Sequence, residues 1–229
     1  MNCRYAKYID HTNLKPDATV SDIEKLCSEA AKFNFASVCV NPCNVALARR
    51  LLAGTGVNIC VVIGFPLGEN TTAVKSAEAA DALKNGASEF DMVINLGALK
   101  SQDFDYVKDD IKAVVAAVKG RIVKVIIETG LLNDEQKTQA CVLASEAGAE
   151  FVKTCTGFNP GVATIEDVAL MKRNINSGMK VKASAGIRTL DSAKAMIEAG
   201  ADRIGTSAGV VICEEETGIK SSDANKKDY

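Results

Sequence analysis

Two hydrophobic periods alternate along the chain. Short, nearly continuous apolar runs cover residues 8–12, 36–41, 57–65, 89–94, 122–128, 151–157, 181–186 and 203–207. Several are stopped by turn residues such as Pro42, Gly64 and Pro66, the pattern of buried strands. Between them, apolar residues recur at helical spacing. The first such stretch is 19–33, through Ile23, Leu26, Ala30 and Phe33, with Ser21 and Glu24 as its expected capping box. A second runs through Val45, Leu47 and Leu51 to a close near Gly54, and others cover 72–85, 104–118, 134–147, 164–175 and 190–199.

One joint is repeated. Asn85-Gly86-Ala87, Ala147-Gly148-Ala149 and Ala199-Gly200-Ala201 each close a helical pattern just before a strand, where glycine suits the left-handed residue that ends a helix. Repeated β-α units imply a parallel sheet, and eight of them favour a closed (β/α)8 barrel over an open doubly wound sheet. No Gly-x-Gly-x-x-Gly follows the first strand and no Walker-type loop occurs, so nucleotide-binding folds lose their usual support. The expected organisation is one barrel domain over residues 1–213 and a polar tail over 214–229.

Composition narrows the classes. The chain has 229 residues, 47% hydrophobic, with a net charge of −2, which gives no electrostatic reason to expect nucleic acid or a membrane surface as partner. No apolar run approaches the ~18 residues of a membrane span, and the N-terminal residues lack a secretory apolar segment, so a cytoplasmic protein is expected. Eight cysteines contain no Cys-x-x-Cys pair, and His11 is the single histidine. The expectation is therefore buried free thiols in a reducing compartment and no metal site.

Charge in the strands is the exception to this ordinary picture. Lys124, Lys153, Lys182, Asp91 and Glu128 lie in or at the ends of apolar runs, and strand C-terminal ends point into a barrel's active face. Asp91 and Lys124 fall on adjacent strands and can pair, and Asp10 is a further carboxylate expected at the same mouth. Lys153 and Lys182 lie on neighbouring strands, about 4.8 Å apart. The bland reading is an ion network plugging the barrel, but such a network does not need two adjacent amines. Paired lysines suit Schiff-base chemistry. An ordinary lysine is neutral in only about one molecule in 2,500 at pH 7, and a nearby cation with partial desolvation raises that share. Lys182 supplies the cation if Lys153 is the nucleophile, and the physics alone permits the reverse.

Small-residue turns follow the last three strands: Thr156-Gly157, Ala185-Gly186-Ile187-Arg188 and Gly205-Thr206-Ser207-Ala208-Gly209. A lone glycine marks only a tight loop. Together, at the end of a barrel that often binds phosphate, these turns point to an anion site.

Several stretches then carry a resemblance: Asp10-His11-Thr12-Asn13-Leu14, residues 61–68, residues 89–97, Lys124-Val125-Ile126-Ile127-Glu128-Thr129, residues 151–158 and Val181-Lys182-Ala183-Ser184-Ala185-Gly186-Ile187-Arg188. In these the chain resembles the deoxyribose-phosphate aldolases, cofactor-free class I aldolases with a (β/α)8 barrel. The resemblance implies reversible cleavage of 2-deoxy-D-ribose 5-phosphate to D-glyceraldehyde 3-phosphate and acetaldehyde. It makes Lys153 the Schiff-base lysine and Asp91 and Lys182 the proton-transfer residues, with Lys124 and Asp10 in support. Thr156, Gly157, Gly186, Arg188, Gly205 and Ser207 become the phosphate-binding residues. It also implies a homo-oligomer and raises the idea that Tyr229 folds back towards the site. Cys155, Ala185 and Ala208 depart from the family pattern, the last two in the phosphate turns, while Cys39 stands near the aldehyde-binding mouth or is simply a buried thiol. The rivals are another Schiff-base sugar-phosphate aldolase and a catalytically silent sugar-phosphate-binding barrel.

Overall fold

The computed structural model describes residues 3–219. Its centre is a closed parallel barrel in chain order, β1 (Ile9–Asn13), β2 (Ser37–Val40), β3 (Asn58–Ile63), β4 (Glu89–Val93), β5 (Ile122–Ile126), β6 (Phe151–Lys153), β7 (Lys180–Ser184) and β8 (Arg203–Thr206), with β8 pairing back onto β1. The outer ring is α1 (Val20–Phe33), α2 (Val45–Leu51), α3 (Thr72–Asn85), α4 (Leu96–Lys100), α5 (Phe104–Ala117), α6 (Asp134–Glu146), α7 (Ile165–Arg173), α8 (Leu190–Glu198) and α9 (Gly209–Thr217).

The alternation of a strand decides what lies on each side of this barrel. Val38, Val40, Val61, Ile63, Phe90, Met92, Val123, Val125, Val152 and Val181 point outward and join the helices in the main core. The residues between them point to the axis. On β2 and β3 these are Cys39, Cys60 and Val62, which pack with Leu14 in a small inner apolar cluster. On β4 to β8 the inward positions include Glu89, Asp91, Lys124, Lys153, Lys182 and Arg203. The three repeated joints behave as expected, with Gly86, Gly148 and Gly200 at φ of 112°, 83° and 113°.

Four details differ from the sequence reading. The first helix is capped by Thr19 and Asp22 instead of Ser21 and Glu24. Thr19 is extended at φ −84° and ψ 168°, so the helix starts at Val20 and its third residue is Asp22. Helix α4 is too short to show a period; Asn95 caps it by accepting from the Ala98 amide. Helix α9 carries the chain past residue 213, because Ile212 and Cys213 are buried on its inner face while the acidic run Glu214-Glu215-Glu216 continues the same helix. Finally, Cys3 and Cys213 are joined in a disulfide, their Cα atoms 5.4 Å apart across 210 residues of sequence. Barrel closure brings the two ends together, which no local spacing signals. The other six cysteines are free, and of these only Cys43 is exposed. The suggestion for Tyr229 lies outside the described residues.

Candidate active site

Lys153 ends β6 and stands in register with Lys182 on β7 and Ile126 on β5. Its Nζ donates to Asp91 Oδ2 at 2.9 Å. Lys182 Nζ reaches the same oxygen at 2.7 Å and Asp10 Oδ2 at 2.6 Å. Lys124, in register with Asp91, donates to Asp91 Oδ1 at 2.8 Å and pairs with Glu89 Oε2 at 2.7 Å. The expected Asp91–Lys124 pair is therefore present. Asp91, Lys124 and Lys182 are fully buried, and Lys153 retains 3% exposure.

Asp10 lies deeper than a mouth residue. It is second in its strand and fully buried, and its Oδ1 accepts from Ser37 Oγ at 2.7 Å and from Arg203 Nε at 2.8 Å. Arg203 Nη2 contacts Asp10 as well and bonds Glu89 Oε2 at 2.8 Å. Asp10 thus links the base of the barrel to Lys182. Arg203 and Glu89 belong to this network, and the sequence reading passed over both. Each opens its strand, two residues before an inward Gly205 or Asp91, so strict alternation would have found them.

The electrostatics follow from these contacts. Burial alone would raise the Asp91 pKa, but the ammonium groups of Lys124, Lys153 and Lys182 outweigh it and hold the carboxyl well below its usual range. Burial likewise opposes ionisation of Asp10, and Lys182, Lys124 and Arg203 reverse it, so its pKa is lowered. For Lys182 burial would favour the neutral amine, yet Asp10 and Asp91 prevail and its pKa lies above the ordinary lysine value. Lys182 is therefore held in its charged form in the resting site. Four cationic side chains (Lys124, Lys153, Lys182, Arg203) contact three carboxylates (Asp10, Glu89, Asp91). With every group ionised, one positive charge is unbalanced.

The thiols are part of the same wall. Cys60 Sγ donates to Asp91 Oδ1 at 3.0 Å, and burial pushes its pKa up. Cys39 is fully buried beside it and is held below the usual thiol range by the neighbouring Cys60, so Cys39 belongs to the barrel interior. Cys39, Cys60 and Asp91 bring ligand atoms within 4.8 Å of one another, as do Asp10, Cys60 and Glu89. In both groups the carboxylates already serve lysine or arginine partners.

The turns above this network are close together but do not all act alike. A Cβ built on Gly157 would lie 3.6 Å from Ala185 Cβ, so the turns after β6 and β7 touch. Gly157, Gly186, Arg188 and Ser207 are exposed there. Thr156 is not an open donor: its amide and hydroxyl both go to Glu128, the hydroxyl at 2.6 Å. Gly205 is not in a turn at all. It lies within β8, where a Cβ would come 2.9 Å from Ser184 Cβ and 3.0 Å from Lys182 Cε. Its role is to leave room for the Lys182 side chain.

The chain matches a family model described as DeoC/LacD family aldolase over residues 4–215. It belongs to this aldolase family. Among curated relatives, the deoxyribose-phosphate aldolase of Thermoanaerobacter pseudethanolicus is 59% identical over 220 residues, covering 95% of this chain and 99% of the relative. That of Enterococcus faecalis is 59% identical over 213 residues, covering 93% and 97%. A solved deoxyribose phosphate aldolase from Aeropyrum pernix, described as having a unique tetrameric structure, superposes with a TM-score of 0.86 at 36% identity, covering 92% of this chain and 89% of that one. Family membership makes this chain an aldolase, and Lys153, Asp91 and Lys182 meet within one hydrogen-bonded cluster.

Proposed function

We propose that this aldolase cleaves 2-deoxy-D-ribose 5-phosphate reversibly into D-glyceraldehyde 3-phosphate and acetaldehyde through a Schiff base on Lys153. One observation carries the choice of lysine. Lys182 bonds two carboxylates and Lys124 bonds three, whereas Lys153 contacts Asp91 alone and keeps the exposed edge. Discharging Lys153 removes the unbalanced charge and leaves the other ion pairs intact.

The free amine of Lys153 adds to the C1 aldehyde, and loss of water gives a protonated imine. That cation draws electrons from the C2–C3 bond, which breaks as the C3 hydroxyl proton is removed. Glyceraldehyde phosphate departs, the enamine takes a proton at C2, and water releases acetaldehyde and the amine. Asp91 Oδ2, shared by Lys153 and Lys182, is the acceptor through which protons pass, and charged Lys182 is the donor beside it. Lys124, Asp10 and Arg203 hold that pair in register. The phosphate lies across the turns after β6, β7 and β8, with Gly157, Gly186, Arg188 and Ser207 as its neighbours and the exposed guanidinium as its charge partner.

A phosphorylated sugar carries charge that keeps it from crossing a bilayer, so the working compartment is the cytoplasm. No helix among the described residues is long and apolar enough to cross a membrane. The active form is a homo-oligomer, a reading supported by the tetrameric Aeropyrum pernix relative.

The test is reduction with borohydride in the presence of acetaldehyde, followed by peptide mapping. N-ethyl lysine is expected at position 153. The same mark at Lys182, or none with cleavage intact, would overturn the assignment. Release of acetaldehyde from the sugar phosphate separates this reading from other Schiff-base aldolases.

A further inference from the structure

Glu128 is a buried carboxylate that the chemistry above does not use. It follows β5 in the left-handed region, at φ 55° and ψ 64°, which side chains other than glycine rarely adopt. Its partners are all uncharged. Oε1 accepts from the Thr156 amide at 3.1 Å, and Oε2 accepts from the Thr156 hydroxyl at 2.6 Å and from Asn159 Nδ2 at 2.9 Å. Asp10, Glu89 and Asp91, by contrast, are matched with lysine or arginine. A strained backbone that aims a buried carboxylate at one loop is the arrangement of a positioning group.

That loop, residues 154–164, runs across the barrel mouth. On one side Phe158 meets Phe65 edge to face, with centroids 5.1 Å apart, and on the other the Ala163 amide donates to the Ala185 carbonyl at 3.1 Å. Val162 covers Gly186 so closely that a Cβ there would lie 2.9 Å from Val162 Cβ. Moving the loop therefore moves the Gly157 and Ala185-Gly186 turns together. Asp91, Lys153 and Lys182 sit on strands below it, tied to one another.

We propose that Glu128 is a positioning residue that locks this loop through Thr156 and Asn159 and so sets selectivity for the phosphorylated over the unphosphorylated sugar. The inference rests on the deoxyribose-phosphate reading given above. A carboxylate accepts at both oxygens, whereas glutamine must turn its amino group towards the Thr156 backbone amide or Asn159 Nδ2, donor against donor.

The experiment compares wild type, Glu128→Gln and Asn159→Leu on 2-deoxyribose 5-phosphate and on 2-deoxyribose, with retro-aldol release of acetaldehyde as the readout. For Glu128→Gln the KM for the phosphorylated sugar is expected to rise about tenfold, the scale of one lost charge-assisted hydrogen bond. Its kcat, and kcat/KM for the unphosphorylated sugar, should stay within about threefold of wild type. Asn159→Leu removes one donor from the same carboxylate and is expected to shift the same KM in the same direction, which keeps the test open if Glu128→Gln does not fold. Equal losses on both sugars, a fall in kcat with KM unmoved, or no change in either variant would overturn the proposal. A wild type that cleaves neither sugar would instead overturn the underlying activity.

Discussion

Lys153 and Lys182 stand opposite each other in register, yet both ammonium groups converge on a single oxygen, Asp91 Oδ2, at 2.9 and 2.7 Å. The two amines therefore do not face each other bare, as the sequence alone led us to expect. A carboxylate lies between them, and in the proposed reaction Lys182 still holds that oxygen when Lys153 engages a carbonyl. One acid group can then serve successive proton transfers without losing its place.

The depressed carboxyls fix the direction of the pH dependence. Asp10 has a pKa below its ordinary 3.8, so its contribution to stability is complete above that value and is lost as pH falls through the lowered one. Lys182 lies above its ordinary 10.5, so its contribution is complete below 10.5 and is lost only as pH rises beyond. Asp10→Asn is expected to cost about 3–5 kcal/mol at neutral pH by leaving buried cations short of a partner. Thermal melts between about pH 2 and about pH 9 should show the wild-type advantage constant above pH 4 or so and shrinking in acid. An advantage that grew in acid would contradict the ion pairing.

Gly205→Ala tests the packing behind Lys182. The new methyl would lie 2.9 Å from Ser184 Cβ and 3.0 Å from Lys182 Cε, so β7 and the lysine must both give way slightly. A displacement of about 1 Å in a reacting group costs about 10²-fold; the smaller shift here should lower kcat for cleavage by less than that, with KM little changed. A fully active Gly205→Ala enzyme would show that Lys182 tolerates displacement.

Ala185 adopts φ 79° in the turn after β7. The left-handed region costs an alanine about 1–2 kcal/mol, and glycine gives back about 0.5–1 kcal/mol in backbone entropy. Ala185→Gly is therefore expected to stabilise the fold by about 0.5–1 kcal/mol, read as a higher melting temperature. A lower one would mean that the methyl group packs usefully against the Gly157 turn.

The Cys3–Cys213 link predicts redox-dependent stability. Closing so long a loop contributes about 2–5 kcal/mol, so a reductant should lower the melting temperature of the wild type and leave Cys213→Ser unaffected. Equal melting with and without reductant, in protein shown to lose the bond, would remove the stabilising role.

Much of this molecule is legible in its sequence because its signals are local. The strands are continuous apolar runs, the helices carry a clear period, and lysines inside such runs can hardly be accidental. What escaped was set by closure. Arg203 meets Asp10 across 193 residues, and Cys3 meets Cys213 across 210, so neither pairing leaves a trace in any window of the chain. Gly205 misled for a related reason: it resembles a turn residue by composition, and only the neighbouring lysine explains it. Thr156 likewise looked like an anion donor until Glu128 was found taking both of its hydrogens.

The seam between β8 and β1 has a consequence for how the barrel closes. Asp10 stands on the first strand, whereas Lys182 and Arg203, two of its cationic partners, stand on the last two. Until β8 docks, Asp10 Oδ1 lacks its guanidinium partner. A barrel without β8 therefore lacks the guanidinium that joins Asp10 to Glu89 and stands open beside Lys182.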